Sequence, residues 1–189
     1  SKMRCVYQSA CIAKGMLEAD NIIVIDSLNV TSGLGLMVLK ACSLRDEGKD
    51  AREIRQGVME MMPHIKSVLV FESLENLVRG GRLHRTVGVV GSILGIKLIM
   101  AIEGGEIKLK DKVRGSKKAV KYALDYINEI GIKGGETSVL LHVENEDILP
   151  ILRENLIQRQ CGFFECEVGC VVGVHAGRGA CGIFFVENY

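Results

Sequence analysis

Tryptophan is absent from this chain and the other aromatics are scarce, with Phe and Tyr together making up 5% of it. Few ring faces are on hand to stack against bases, which argues against single-strand nucleic-acid recognition. Net charge is lacking too. The 24 Lys and Arg residues stand against 23 Asp and Glu, leaving a formal charge of +1, too little for a general nucleic-acid binder. No apolar run reaches the roughly 18 residues of a membrane helix, so stable membrane insertion is not expected. The first twenty residues, "SKMRCVYQSACIAKGMLEAD", lack the charged-then-apolar order of a signal peptide. The seven cysteines are odd in number and contain no C-x-x-C pair. Free thiols in a reducing cytoplasm are therefore expected rather than a disulfide framework.

What is present is aliphatic. Apolar residues make up 48% of the 189 positions, together with 22 glycines, enough for one generous domain or two small ones. A core of Val, Ile, Leu and Gly suits an α/β protein, whose strands are buried on both faces, and it would also suit an aliphatic cavity. The spacing of Tyr7, Ala10, Cys11, Met16 and Leu17 predicts an opening helix. "NIIVID" (21–26) reads as a buried strand, followed by a helix capped by Thr31 or Ser32 and stopped by Gly48. A second helix runs from about Asp50 to Met62, ended by Pro63.

"IKSVLVF" (65–71) predicts the next strand, and "TVGVVGSILG" a closely packing small-residue helix. "IKLIMAIEGGEIKLKDKV" predicts a hairpin turning at Glu103, Gly104 and Gly105. "SKKAVKYALDYINEIG" is amphipathic, with Ala119, Val120, Ala123, Leu124 and Ile127 on one stripe. Then come a strand ("TSVLLHV"), a helix ("EDILPILRENLIQ") and a strand ("FFECEVG"). "CVVGVHAGRGACGIFFVEN" closes the chain as strand, glycine loop and strand. Alternating strands and helices place the chain in the α/β class, with a candidate boundary near residues 63 to 75.

Three stretches invite chemistry. In "VGVHAGRGACG", His175 precedes Gly177 and Gly179. Free backbone N–H groups there would form an anion-binding concavity beside an imidazole donor; a tight turn with a satisfied histidine is the plainer reading. His142 reads as a core or edge strand residue, and His64 as a loop residue. In "FESLENLVRGGRLHR", a double glycine sits among Arg79, Arg82, His84 and Arg85 with no acidic residue between them. "KLKDKVRGSKK" (108–118) sets its basic residues against Asp111 alone. The two basic stretches are either solvated faces or one surface that steers anions or acidic partners. Cys161, Cys166, Cys170, Cys181 and His175 lie within about twenty residues of one another, but without the paired spacing of a zinc site they read as free thiols. No P-loop signature and no nucleophile elbow is present.

These stretches occur in an order that resembles the DegV family of bacterial fatty-acid-binding proteins. "YQSACIAKGM", "VIDSLNVTSGLGLMVLKA", the GGR segment, the KVRG segment and the terminal His-x-Gly-x-Gly loop all fit, so the resemblance covers the whole chain. It implies a two-part α/β fold with mixed sheets and flanking helices, its N-terminal part incomplete: about 1–65 as the remainder of an N-terminal domain and 66–189 as a C-terminal domain. It implies a long-chain fatty acid in an apolar tunnel, with its carboxylate at the domain interface. The protein would be a non-catalytic, cofactor-free carrier that presents the acid to a separate ATP-dependent kinase making acyl phosphate, in phospholipid metabolism. A small-molecule phosphate-binding enzyme subunit and a truncated scaffold without lipid are the alternatives.

Carried over residue by residue, the resemblance gives Ser1 and His175 as carboxylate ligands and Arg82 and Arg114 as ligand-mouth or kinase-docking residues. Gly177 and Gly179 become the close-approach loop at the head group. The chain departs from the family at Arg4, Cys5 and Val6, where a Ser-Gly-Thr run is usual, and at Arg178, where proline is usual. Arg178 would add a cation beside His175.

Overall fold

The computed structural model describes residues 5–18, 20–83 and 95–189. Helix α1 (Cys5–Leu17) opens the chain, followed by α2 (Ser32–Asp46) and α3 (Ala51–Met61). A single 3-10 turn, Met62–His64, leads into β1 (Ile65–Phe71), and the short α4 (Glu75–Arg79) follows. The hairpin β2 (Ile96–Glu103) and β3 (Glu106–Arg114) precedes α5 (Ser116–Ile130), β4 (Ser138–His142) and α6 (Leu149–Gln158). The chain ends with β5 (Phe163–Glu167), α7 (Cys170–Ala176) and β6 (Cys181–Val186).

The described residues form one six-stranded mixed sheet, ordered β3-β2-β1-β6-β4-β5. Every pairing is antiparallel except β4 with β5. Helices cover both faces, so β1, β2 and β6 carry near-continuous apolar runs instead of strict alternation. Leu69 and Phe71 of β1 face a core shared with Leu36 and Met37 of α2 and Val58 and Met61 of α3. Val68 and Val70 face the other core, under α5 and α6, with Ala119, Ala123, Ile127, Leu152 and Leu156. The amphipathic stripe expected of α5 is buried there, with Leu124 only partly covered. Helix α3 starts on a reciprocal capping box. Asp50 accepts from the N–H groups of Arg52 and Glu53 at 2.8 and 2.9 Å, and its own N–H donates to Glu53 at 2.9 Å. Thr31 holds the N-cap position of α2 without a side-chain bond.

Two expectations are overturned. Residues 21–26 are not a strand: Ile22 and Ile23 are 37% and 38% exposed, and no described strand pairs with them. A β-branched run becomes a strand only when a neighbour takes up its backbone hydrogen bonds. The run at 170–176, read as a strand, is helix α7. It begins with N–H bonds from Val172 and Gly173 to the Gly169 carbonyl, and Gly177 closes it at φ 78°. Its valines favour strands locally, but β5 and β6 are separated by β4, and the chain must cross the end of β4 to join them. The helix expected in "TVGVVGSILG" lies outside the described residues except for Gly95, which immediately precedes β2.

Register aligns the strand ends. Phe71 pairs with Leu98, Ile96 with Arg114, Val70 with Cys181, and His142 with both Cys181 and Glu167. The carboxyl ends of β1, β3, β4 and β5 therefore share one end of the sheet with the starts of β2 and β6. All three glycine-bearing stretches emerge at that end.

Candidate functional site

The double glycine is two devices in one. Gly81, at φ 70°, is the left-handed residue that terminates α4. Its N–H donates to the Val78 carbonyl at 3.1 Å and that of Arg82 to the Leu77 carbonyl at 2.8 Å, the paired bonds of a Schellman motif. Gly80 has an ordinary helical backbone, and its lack of a side chain serves something else. A Cβ there would lie 2.1 Å from Nδ1 and 2.5 Å from Cε1 of His175. The imidazole is seated on Gly80, which ties the GGR turn to the C-terminal loop across about ninety-five positions of sequence.

The two loop glycines work in the same manner. A Cβ on Gly177 would lie 2.9 Å from Nδ2 of Asn76, on α4, and one on Gly179 would lie 2.8 Å from Cγ of Glu72. Both have φ near 80°, so they also turn the backbone where other residues would be strained. Their N–H groups are not free, however. Gly177 donates to the Gly173 carbonyl at 2.8 Å and Gly179 to the Val143 carbonyl at 2.7 Å. The expected concavity of open N–H donors is therefore not formed by these two residues. Asn145 holds the loop from the other side, its Nδ2 donating to the Gly179 carbonyl at 2.8 Å. Its Oδ1 accepts from the N–H groups of Ile148 and Leu149 at the start of α6, at 2.9 and 3.1 Å.

The basic groups are more engaged than composition suggested. Arg82 is exposed and its guanidinium donates to the Gly80 carbonyl at 2.7 Å, so the side chain folds over its own turn. Arg79 pairs with Glu75 at 2.7 Å, and Arg178 pairs with Glu144 at 2.6 Å, so its charge is spent beside an acid instead of on His175. Arg114 ends the edge strand β3, exposed, at the same end of the sheet as the His175 loop, with β2 between β3 and β1. Ser1 lies outside the described residues, as do His84 and Arg85. An open cleft of about 800 Å³ is walled by Ile22, Ile23, Met59, Lys14, Arg52 and Arg55, and one of about 190 Å³ by Leu36, Met61 and Val186 among others. Neither borders His175.

Sequence reasoning passed over Glu72, Asn76, Lys97 and Asn145. Glu72 and Asn76 are four apart in the stretch that carries the double glycine, and Lys97 is the lone charge inside an apolar strand run. Those were the available signals. Cys181 lies on the α5/α6 face across from His142. Burial, reinforced by Glu72 and Asp147 and opposed by Lys97, pushes its thiol up to about 12. In folded protein at pH 8, a disulfide reagent should modify the exposed Cys166 and Cys170 while sparing Cys181 until denaturant is added. Prompt native-state labelling of Cys181, read by peptide mass mapping, would contradict the buried placement.

A mixed sheet between two helical layers, with the GGR turn and the C-terminal glycine loop meeting at one imidazole at one sheet end, defines this chain as an α/β protein with its candidate site on loops. A family model described as "Uncharacterised protein, DegV family" matches residues 1–188, and the chain belongs to the DegV family. A DegV domain-containing protein of Clostridium acetobutylicum is 58% identical over 189 residues, covering 100% of this chain and 68% of the relative. Among solved structures, the Streptococcus pneumoniae fatty acid kinase (Fak) B3 protein loaded with linoleic acid matches with a TM-score of 0.85. Its identity is 27%, over 96% of this chain and 67% of that one. A DegV lipid binding protein from Thermotoga maritima matches with a TM-score of 0.81 at 26% identity, over 96% of this chain and 64% of that one. The chain thus spans about two thirds of the length of these relatives. Among the described residues, no helix is long and apolar enough to cross a membrane.

Proposed function

We propose that this chain holds one long-chain fatty acid in an apolar tunnel, its carboxylate bound by His175 and Ser1, and presents that carboxylate to a separate ATP-dependent kinase. In this reading the chain binds and positions without catalysing and needs no cofactor, and it works in the cytoplasm. Residues 1–65 belong to an N-terminal unit and 66–189 to a C-terminal one, with the carboxylate between them. Arg82 and Arg114 mark the ligand mouth or the kinase-facing surface, and Gly177 and Gly179 shape the head-group loop.

The observation that carries this reading is the seating of His175 on Gly80, at the sheet end from which the glycine-bearing stretches emerge, in a chain related to a protein solved with linoleic acid. Chemistry agrees with it. Each buried methylene contributes about 0.8 kcal/mol, so a long tail supplies most of the affinity. A desolvated carboxylate is costly without hydrogen-bond donors, and an imidazole N–H is one. The phosphate-cradle alternative is weakened because Gly177 and Gly179 spend their N–H groups on carbonyls.

Native mass spectrometry of protein purified from bacteria should show a retained fatty acid, or uptake of added oleate or palmitate. Folded protein that carries none and takes up none would refute the carrier reading. The His175→Ala change should weaken oleate by about ten- to a hundredfold, the worth of one hydrogen bond to a charged group, and a matching alkane far less. Equal losses for both ligands would reject the head-group role.

A further inference from the structure

Lys97 is the one charged residue that is buried among the described residues, 9% exposed. It projects from β2 on the face that carries Ile99, and its ammonium is paired with Glu72, just past the end of β1. The Glu72 side chain is 42% exposed, so only the lysine is desolvated; its burial cost offsets much of the Coulomb attraction, and solvent screens the exposed end of the pair. A stability role is thus a poor account of a lysine in this place, whereas a geometric role fits what the pair touches. Glu72 runs directly beneath the head-group loop, its Cγ 2.8 Å and its Oε1 3.2 Å from the position of a Cβ on Gly179.

Gly179 is therefore held on three sides. Its N–H is taken by the end of β4 and its carbonyl by Asn145 at the start of α6, while Glu72 fills the space beside its Cα. Only Glu72 among these is anchored by a buried countercharge, which fixes the carboxylate and with it the floor of the loop. The same loop leads back through Gly177, against Asn76, to His175 on Gly80. We propose that Lys97 and Glu72 are positioning residues for the carboxylate site: their ion pair props the Gly177–Gly179 turn and so fixes the orientation of His175. This rests on the fatty-acid reading for its consequence, though not for its geometry.

The test is the double variant Glu72→Leu with Lys97→Met, which removes both charges at once and leaves neither unpaired. In ligand-free protein, the ring cross-peaks of His175 in a ¹H–¹⁵N spectrum should shift or split relative to wild type. Oleate affinity should fall about tenfold, the equivalent of 1.4 kcal/mol, while oleyl alcohol, which lacks the carboxylate, should bind as before. Lys97→Arg, which keeps the pair, should retain wild-type behaviour in both measurements. Should the double variant fail to melt cooperatively, Glu72→Asp carries the same readings, since it shortens the prop while preserving the charge. Unchanged His175 resonances in a folded variant would overturn the proposal, as would equal losses for oleate and oleyl alcohol. If wild-type protein binds no oleate, the carrier reading falls and the His175 resonances alone decide the positioning role.

Discussion

Replacing Gly80 with alanine should cost oleate affinity as much as deleting the histidine itself, with little change in stability. The backbone at Gly80 is ordinary, φ −77° and ψ −1°, so alanine is conformationally welcome. The obstacle is the ring of His175, 2.1 Å from the new Cβ, an approach that non-bonded atoms do not make. A side-chain ring at the end of a rotatable stem yields before backbone does, so the imidazole swings away and the fold stays intact. Fatty-acid displacement assays should show a loss of about ten- to a hundredfold for the Gly80→Ala protein, as for His175→Ala, within the usual worth of a charged hydrogen bond. Stability should fall by about 1 kcal/mol, the low end of overpacking penalties, because a side chain and not backbone gives way. Gly81→Ala is the internal contrast. It meets no side chain but sits at φ 70°, so it should cost roughly 1–2 kcal/mol of stability through left-handed strain. A Gly80→Ala protein that binds oleate like wild type would show that the seating of His175 is irrelevant to the ligand.

The largest stability loss is expected at Gly182. This residue lies in β6, between β1 and β4, and pairs with Leu69 in the middle of the sheet. A Cβ there would come within 2.4 Å of the Val68 carbonyl oxygen and 2.8 Å of the Leu69 Cα. Both are backbone atoms of a strand registered on its two sides by β2 and β6. No flexible group can give way, so the clash must be relieved by parting two central strands. We expect Gly182→Ala to cost about 3 kcal/mol, at the upper end of overpacking penalties. That is a large share of the roughly 5–15 kcal/mol by which domains are stable, and it should lower the melting midpoint by roughly 6–12 °C. A midpoint within about two degrees of wild type, by calorimetry or circular dichroism, would mean that β1 and β6 leave room for a methyl group at this position.

The two glycine predictions differ in how much of their basis is legible in the sequence. Gly80 belongs to a conspicuous double glycine, and its neighbour Gly81 could be read as a turn from composition and position. That Gly80 faces His175 could not, because the contact joins residues far apart in the chain. Gly182 sits in an apolar strand run, where a lone glycine signals close backbone approach without naming what approaches. Strand placement shows the same division. β1, the β2–β3 hairpin, β4 and β5 follow from local runs and turn residues. The run at 21–26 has equally good local credentials and is unpaired, because pairing depends on a neighbour that local pattern does not supply. The valines of α7 mislead in the opposite sense: their intrinsic preference yields to the need to carry the chain across the end of β4.

Motif order along this chain determined, by itself, the α/β class, the DegV resemblance and the identity of His175, Gly177, Gly179, Arg82 and Arg114 as residues to watch. Those features reside in residue type and spacing, which a linear string carries in full. Only the tertiary structure decided that the double glycine is half helix stop and half seat for an imidazole. It alone showed that the loop glycines spend their N–H groups internally, and that Glu72, paired with Lys97, stands against Gly179. Such facts are distances between strands and loops brought together by register, and register arises when the whole sheet closes around its core.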